Sequence, residues 1–168
     1  MDTPMTQNVI EAGLKERPLR FDDLKEHTSC PLSVALSEDQ WSALAGPGPA
    51  YAVMDPTIGL GLEPSTSEGG WFYSKVLWVV KDDYEGPVLI RGGQLDGDGE
   101  VRFGTGPSPD QDMWLPPADE SVTSGTQGPW RDFPSFTRLS KPGCYAWQVD
   151  GISFSYLIVF SAHPIEVT

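Results

Sequence analysis

Short runs of β-branched and aromatic residues recur along the chain from about residue 50 onward, each bounded by Gly, Pro, Asp or Ser. The runs Tyr51–Met54, Phe72–Lys81, Pro87–Arg91, Glu100–Phe103, Pro134–Leu139, Cys144–Val149 and Ile152–Ser161 read as strands. Strands in this number, with turn residues between them and no crossover helices for a parallel sheet, suit a two-sheet antiparallel sandwich of the immunoglobulin-like kind. No fixed-period repeat is present.

Before these runs the pattern changes. Residues 1–29 are polar and mixed in charge, with a helix-compatible stretch from Asn8 to Glu16 ended by Pro18, and read as an irregular, mobile or loosely docked tail ahead of a β domain over 30–168. Ser37, Glu38, Asp39 and Gln40 have capping-box spacing ahead of Trp41 and Leu44, which predicts one short helix closed by Gly46 and Pro47.

The strongest local signal is Asp150-Gly151 between two strand-like runs, because this pair supplies the positive φ angles of a type I′ hairpin turn. That turn would set Val149 opposite Ile152, Trp147 opposite Phe154 and Tyr145 opposite Tyr156, with all six large side chains on the core side. Cys144, Ala146 and Gln148 would then face outward. Leu157 and Val159 on that outer side call for an apolar cover, for which the segment around Cys30 is the candidate.

Composition bounds the functional classes. A chain of 168 residues with 18 Gly and 16 Pro is long enough to build a core and too turn-rich for a helical bundle. The net charge of −13 repels phosphate backbones and anionic headgroups, so neither nucleic acid nor a membrane surface is an expected partner. No run approaches the length of a spanning helix, and Met1 to Arg20 lacks the apolar stretch of a secretory leader; the sequence fits the mature part of an exported protein as well as a protein made without one.

The chemistry-bearing residues are few. Cys30 and Cys144, 114 positions apart, are either a disulfide, which implies an oxidising compartment, or two unrelated buried thiols. With His27 and His163 they also make a weak zinc pattern that lacks the paired spacing of zinc modules. Asp96, Asp98 and Glu100 gather carboxylates in a tight loop, as do Asp82, Asp83 and Glu85; either suits a plain turn or a calcium ion. Trp71, Trp114 and Trp130 lie in Gly- and Pro-rich segments and are candidates for stacking on sugar rings, whereas Trp78 and Trp147 fall within strands and read as core. No nucleophile elbow, phosphate loop, dinucleotide fingerprint or zinc-protease motif occurs, and nothing selects a carboxylate pair of glycosidase type. No catalytic residue and no cofactor is assigned.

Trp130-Arg131-Asp132-Phe133-Pro134-Ser135, Lys141-Pro142-Gly143-Cys144-Tyr145-Ala146-Trp147-Gln148-Val149-Asp150-Gly151, Ser153-Phe154-Ser155 and the upstream Cys30-Pro31 resemble a pattern in uncharacterised bacterial secreted proteins and lipoproteins. The resemblance covers about a third of the chain and implies an extracytoplasmic sandwich with Cys30 and Cys144 as partners. The chain departs from the pattern in having no leader and no lipidation cysteine at its start, which leaves membrane anchoring undecided. The expectation is a non-enzymatic binding or structural module of the cell envelope with a protein or glycan ligand. The alternatives are a carbohydrate-binding module using the loop tryptophans and an acidic-site hydrolase; the oligomeric state is left open.

Overall fold

Phe72–Lys81 forms a ten-residue strand with Val76, Trp78 and Val80 buried on one face, because its apolar residues alternate with the two-residue period of a pleated ribbon. The computed structural model describes residues 3–25, 29–64, 70–119, 126–127 and 130–165. Among them the chain is all-β apart from one helix, α1 (Thr3–Glu16), and a single 3-10 turn at Phe21–Leu24. The strands are β1 (Ala35–Glu38), β2 (Trp41–Ala45), β3 (Ala50–Ala52), β4 (Leu60–Pro64), β5 (Phe72–Lys81), β6 (Val88–Gln94), β7 (Val101–Phe103), β8 (Met113–Leu115), β9 (Thr126–Gln127), β10 (Trp130–Leu139), β11 (Gly143–Gly151) and β12 (Phe154–Pro164).

These twelve strands make one hydrogen-bonded sheet in the order β1-β2-β3-β5-β4-β12-β11-β6-β8, with β10 along the other side of β5 and pairing β7 and β9. The sheet turns over at β4, which pairs antiparallel with β5 through Glu63 and Pro64 and parallel with β12 through Leu60 to Leu62. The residues of β5 and β11 therefore face each other without being ladder neighbours: Trp78 and Trp147, both fully buried, meet edge to face with ring centroids 5.0 Å apart. Phe160 stacks on Trp147 at 4.0 Å, and Val80, Ile90, Leu139 and Ile158 belong to the same core. Each large side chain so buried contributes about 2 kcal/mol.

The last hairpin keeps its predicted core face but not its predicted partners. Val149 pairs with Tyr156, Trp147 with Ile158 and Tyr145 with Phe160, and the turn lies at Ile152-Ser153 instead of Asp150-Gly151. Shifting the partners by an even number of residues leaves every side chain on its expected face, which is why Tyr145, Trp147 and Val149 remain core. Ile152, predicted to face Val149, is exposed in the turn. Asp150 stays in the ladder because its carboxylate is bonded inside the protein, and Gly151 stays because the Phe154 ring lies where a Cβ would stand.

The helix predicted after Ser37 is instead the β1–β2 hairpin, with Asp39 at φ 53° in its turn. Tertiary contacts override the capping-box signal: Glu38 pairs with Lys81, and Asp39 accepts a hydrogen bond from the Trp130 indole. Nor is the described part of the amino-terminal stretch loose. Leu14 and Phe21 are buried, the Arg20 amide donates to Gln148 Oε1 at 2.9 Å, and Gln148 Nε2 donates to the Pro18 carbonyl at 3.1 Å. This segment covers the outer face of β6, β11 and β12, where Phe21, Cys144, Ala146 and Val159 form a second apolar cluster with Cys30 and Leu157. Its aromatic anchor sits over Gly93, where a Cβ would come within 3.0 Å of the Phe21 ring.

Candidate ligand-binding cleft

At the end of the sheet where β2 passes into β3, the sequence Gly46-Pro47-Gly48-Pro49 makes a tight connection with a cis Gly48-Pro49 peptide. Gly48 has φ 92°, and a Cβ there would stand 2.2 Å from the Tyr51 hydroxyl, so the phenol of Tyr51 lies directly across this residue. The loop is tied to its neighbours by the Lys81 amide, which donates to the Pro49 carbonyl at 3.0 Å. Tyr156 adds a second tie: its hydroxyl donates to the Ala50 carbonyl at 2.5 Å and accepts from the Ala50 amide at 3.2 Å.

Opposite this loop stands the turn after β5. Tyr84 is held by three anchors: its amide donates to the Lys81 carbonyl, its hydroxyl donates to the Pro87 carbonyl at 2.6 Å, and the Ile152 amide donates to that hydroxyl at 2.9 Å. The Arg131 guanidinium fixes the turn from below by donating to the carbonyls of Tyr84, Gly86 and Pro116. Phe154 meets Tyr84 edge to face at 4.9 Å and stacks on Tyr156 at 5.4 Å.

Between the two walls opens a cleft of about 450 Å³ lined by Pro47, Pro49, Tyr51, Tyr84, Phe154 and the polar rim residues Lys81, Asp83 and Ser153. Burial pushes the Tyr51 phenol up, with the Asp83 carboxylate acting in the same direction, and burial also raises Tyr84; both are neutral hydroxyls at physiological pH. The Lys81 ammonium is already engaged, pairing with Glu38 and lying 5.5 Å from the centre of the Trp130 ring. The cleft thus combines the buried Tyr51 ring and the half-buried Tyr84 and Phe154 rings with the polar groups of Lys81, Asp83 and Ser153.

The residues singled out in the sequence fall elsewhere. Cys30 and Cys144 form the disulfide, with Cα atoms 5.8 Å apart, which consumes both thiols of the zinc pattern; His163 is exposed, and His27 lies outside the described residues. Trp130 is only 1% exposed, packed edge to face on Trp41 and Tyr51, and so presents no face to a sugar ring. Trp71 is half-buried under the Arg102 guanidinium, and Trp114 is a half-buried member of the edge strand β8, so the three tryptophans do not make a common platform.

In the acidic loop the three carboxylates turn to different partners. Asp96 Oδ1 accepts from Gln94 Nε2 at 2.8 Å and from the Cys144 amide at 2.9 Å, Asp98 pairs with Lys141, and Glu100 with Arg102 at 2.5 Å. Among the described residues no three His, Cys, Asp or Glu side chains come together as a metal-binding set. Of the second acidic turn, Asp82, Asp83 and Glu85 are exposed, and Asp83 alone reaches the cleft rim.

Two features escaped the sequence reading. The cleft is assembled from loops far apart in the chain. The other is a buried polar cluster on the outer face of β11. Asp150, fully buried, accepts from Arg91 at 2.7 Å, from Ser155 Oγ at 2.5 Å and from Gln148 Nε2 at 3.1 Å, and Arg17 stands 3.6 Å away. Burial opposes the charge on Asp150, but these donors outweigh it and hold its carboxyl below the ordinary value. No helix among the described residues is long and apolar enough to cross a membrane. Compared with protein-family models, curated proteins and solved structures, the chain matches none.

Proposed function

We propose that this chain is a non-enzymatic binding module that works outside the cytoplasm and meets its ligand at the cleft between Pro47 and Phe154. The observation that carries the reading is the Cys30–Cys144 disulfide, because such bonds persist in oxidising compartments and are reduced in most cytosols. Support for binding over catalysis comes from the cleft itself, whose phenols stay protonated and whose ammonium is paired, so that its walls offer contact area.

Trapping thiols in intact producing cells before lysis, followed by intact-mass measurement with and without reductant, tests the location. A chain that escapes alkylation and gains about two daltons on reduction carries the disulfide in the cell. A chain that leaves the cell doubly alkylated overturns the reading.

A further inference from the structure

We propose that the end of the sheet around the β11–β12 turn docks a basic, extended segment of a partner protein, with an apolar residue of that segment on Ile152 and its Lys or Arg side chains against Asp83, Glu85 and Asp119. This rests on the reading of the cleft as the contact surface, widens that surface and names the chemistry of its partner.

The cleft has a neighbour. A second opening of about 340 Å³ lies on the other side of the turn, with Ile10, Pro87, Pro117, Ala118 and Ile152 as its apolar lining. Consecutive residues divide the two: Tyr84 and Ser153 line the first opening, Glu85 and Ile152 the second. The ridge between them is held from both sides. The Ile152 amide donates to the Tyr84 hydroxyl at 2.9 Å, and the Arg17 guanidinium donates to the carbonyls of Phe154 and Ile152 at 2.9 and 3.4 Å. On this ridge the Ile152 side chain is 53% exposed, at a turn position that Gly, Asn, Asp or Ser would fill at less cost. Folding gains little from it, whereas a partner that covers it gains apolar contact from a tip already ordered.

Charge selects the type of partner. Asp83 stands on the rim of the first opening and Glu85 and Asp119 on that of the second; all three are exposed, and none makes an ion pair among the described residues. The neighbouring cations are committed, Lys81 to Glu38 and Arg17 to Asp150, while Arg131 bonds the carbonyls of Tyr84 and Gly86 and offsets part of the Glu85 charge. The surface is therefore net negative, within a protein of net charge −13. Phosphate backbones and anionic lipids are repelled by it. Its carboxylates do not gather as a metal-binding set, so charges spread over two openings match cations spaced along a chain and not one ion.

The probe is an acetylated, amidated hexapeptide alternating Lys and Leu, titrated into the full chain at constant ionic strength and followed by backbone NMR shifts. Hexapeptides alternating Lys with Ser, and Glu with Leu, remove its apolar and its basic component in turn. Expected are saturable shifts at Tyr84, Glu85, Ala118 and Ile152, and binding about fivefold or more weaker for either control. Ile152→Ser and the Glu85→Gln, Asp119→Asn double variant should each lose affinity for the first peptide several-fold. The three altered side chains are exposed, so the variants keep the fold, and unchanged spectra outside this end verify that. No saturable shift, shifts centred on another acidic surface such as the Asp98 to Glu100 loop, a control peptide that binds as well as the first, or variants that bind as well as the parent each overturn the assignment. The module reading is judged separately by thiol trapping, so failure of the peptide leaves it standing.

Discussion

The guanidinium of Arg91 on β6 donates to the carboxylate of Asp150 on β11 at 2.7 Å, and Asp150 has no exposed surface. The pair is closed over by the amino-terminal segment, whose Arg17 reaches the other carboxylate oxygen at 3.6 Å. A buried charge of this kind is tolerated because its two oxygens together accept three hydrogen bonds beside two guanidinium groups, and removing one partner strands the rest.

Asp150→Asn should therefore lower stability by about 3 kcal/mol, read as the shift of the denaturant midpoint at constant slope. Arg17→Ala removes a half-exposed partner and should cost about 1 kcal/mol or less. A variant order reversed from this would show that the amino-terminal contact, not the β6–β11 pair, dominates the cluster.

Acid should weaken the fold through the same residue. The folded-state pKa of Asp150 is depressed below the ordinary 3.8, so its contribution is fully present above that value and disappears as pH falls through the lower, folded-state pKa. Melting curves across the acid range should show a loss of stability below about pH 4 that is diminished in Asp150→Asn.

Phe21 ties the amino-terminal segment to the outer face by packing on Gly93. Phe21→Ala should cost about 3 kcal/mol and raise amide exchange at Arg20 and across the outer face of β11. Unchanged protection there would mean that the Gln148 bonds to Pro18 and Arg20 hold the segment without the aromatic anchor.

Reduction of the disulfide releases a loop of 114 residues, which in the chain-entropy picture costs about 4–5 kcal/mol. Equilibrium denaturation with and without reductant, and of a Cys30→Ser, Cys144→Ala double variant, measures this directly. The double variant should match the reduced parent.

Gly48→Ala tests the cleft wall. Its φ of 92° disfavours any side chain, and the new Cβ meets the Tyr51 hydroxyl, so a loss of about 1–3 kcal/mol should accompany displacement of Tyr51. The readout is the Tyr51 ring resonances, which should move while those of Trp78 and Trp147 stay in place.

Much of the architecture was legible because it is written in short-range alternation. Phe72–Lys81 forms a strand over the expected residues, and Tyr145, Trp147 and Val149 face the core as their spacing required. The misreadings share one cause, which is long-range pairing. Asp150 looks like a turn residue until Arg17 and Arg91, distant in sequence, bury it in a ladder. Ser37 to Gln40 reads as a helix start until Lys81 and Trp130 claim Glu38 and Asp39. Trp130, set among Gly and Pro, seemed free to meet a ligand until Trp41 and Tyr51 closed on it. β4 escaped notice because Gly61 and Pro64 dilute its apolar signal, and its parallel pairing with β12 leaves no local mark. The cleft was invisible for the same reason, since its two walls come from loops about thirty residues and more apart.

The disulfide also determines how the molecule bears load. Tension applied outside the cysteine pair travels through the sulfur bridge and bypasses the whole stretch from Pro31 to Gly143, which holds every strand from β1 to β10. Pulling can peel away only what precedes Cys30 and the β11–β12 ribbon that follows Cys144, so the oxidised chain has a short, fixed extensibility that the reduced chain lacks.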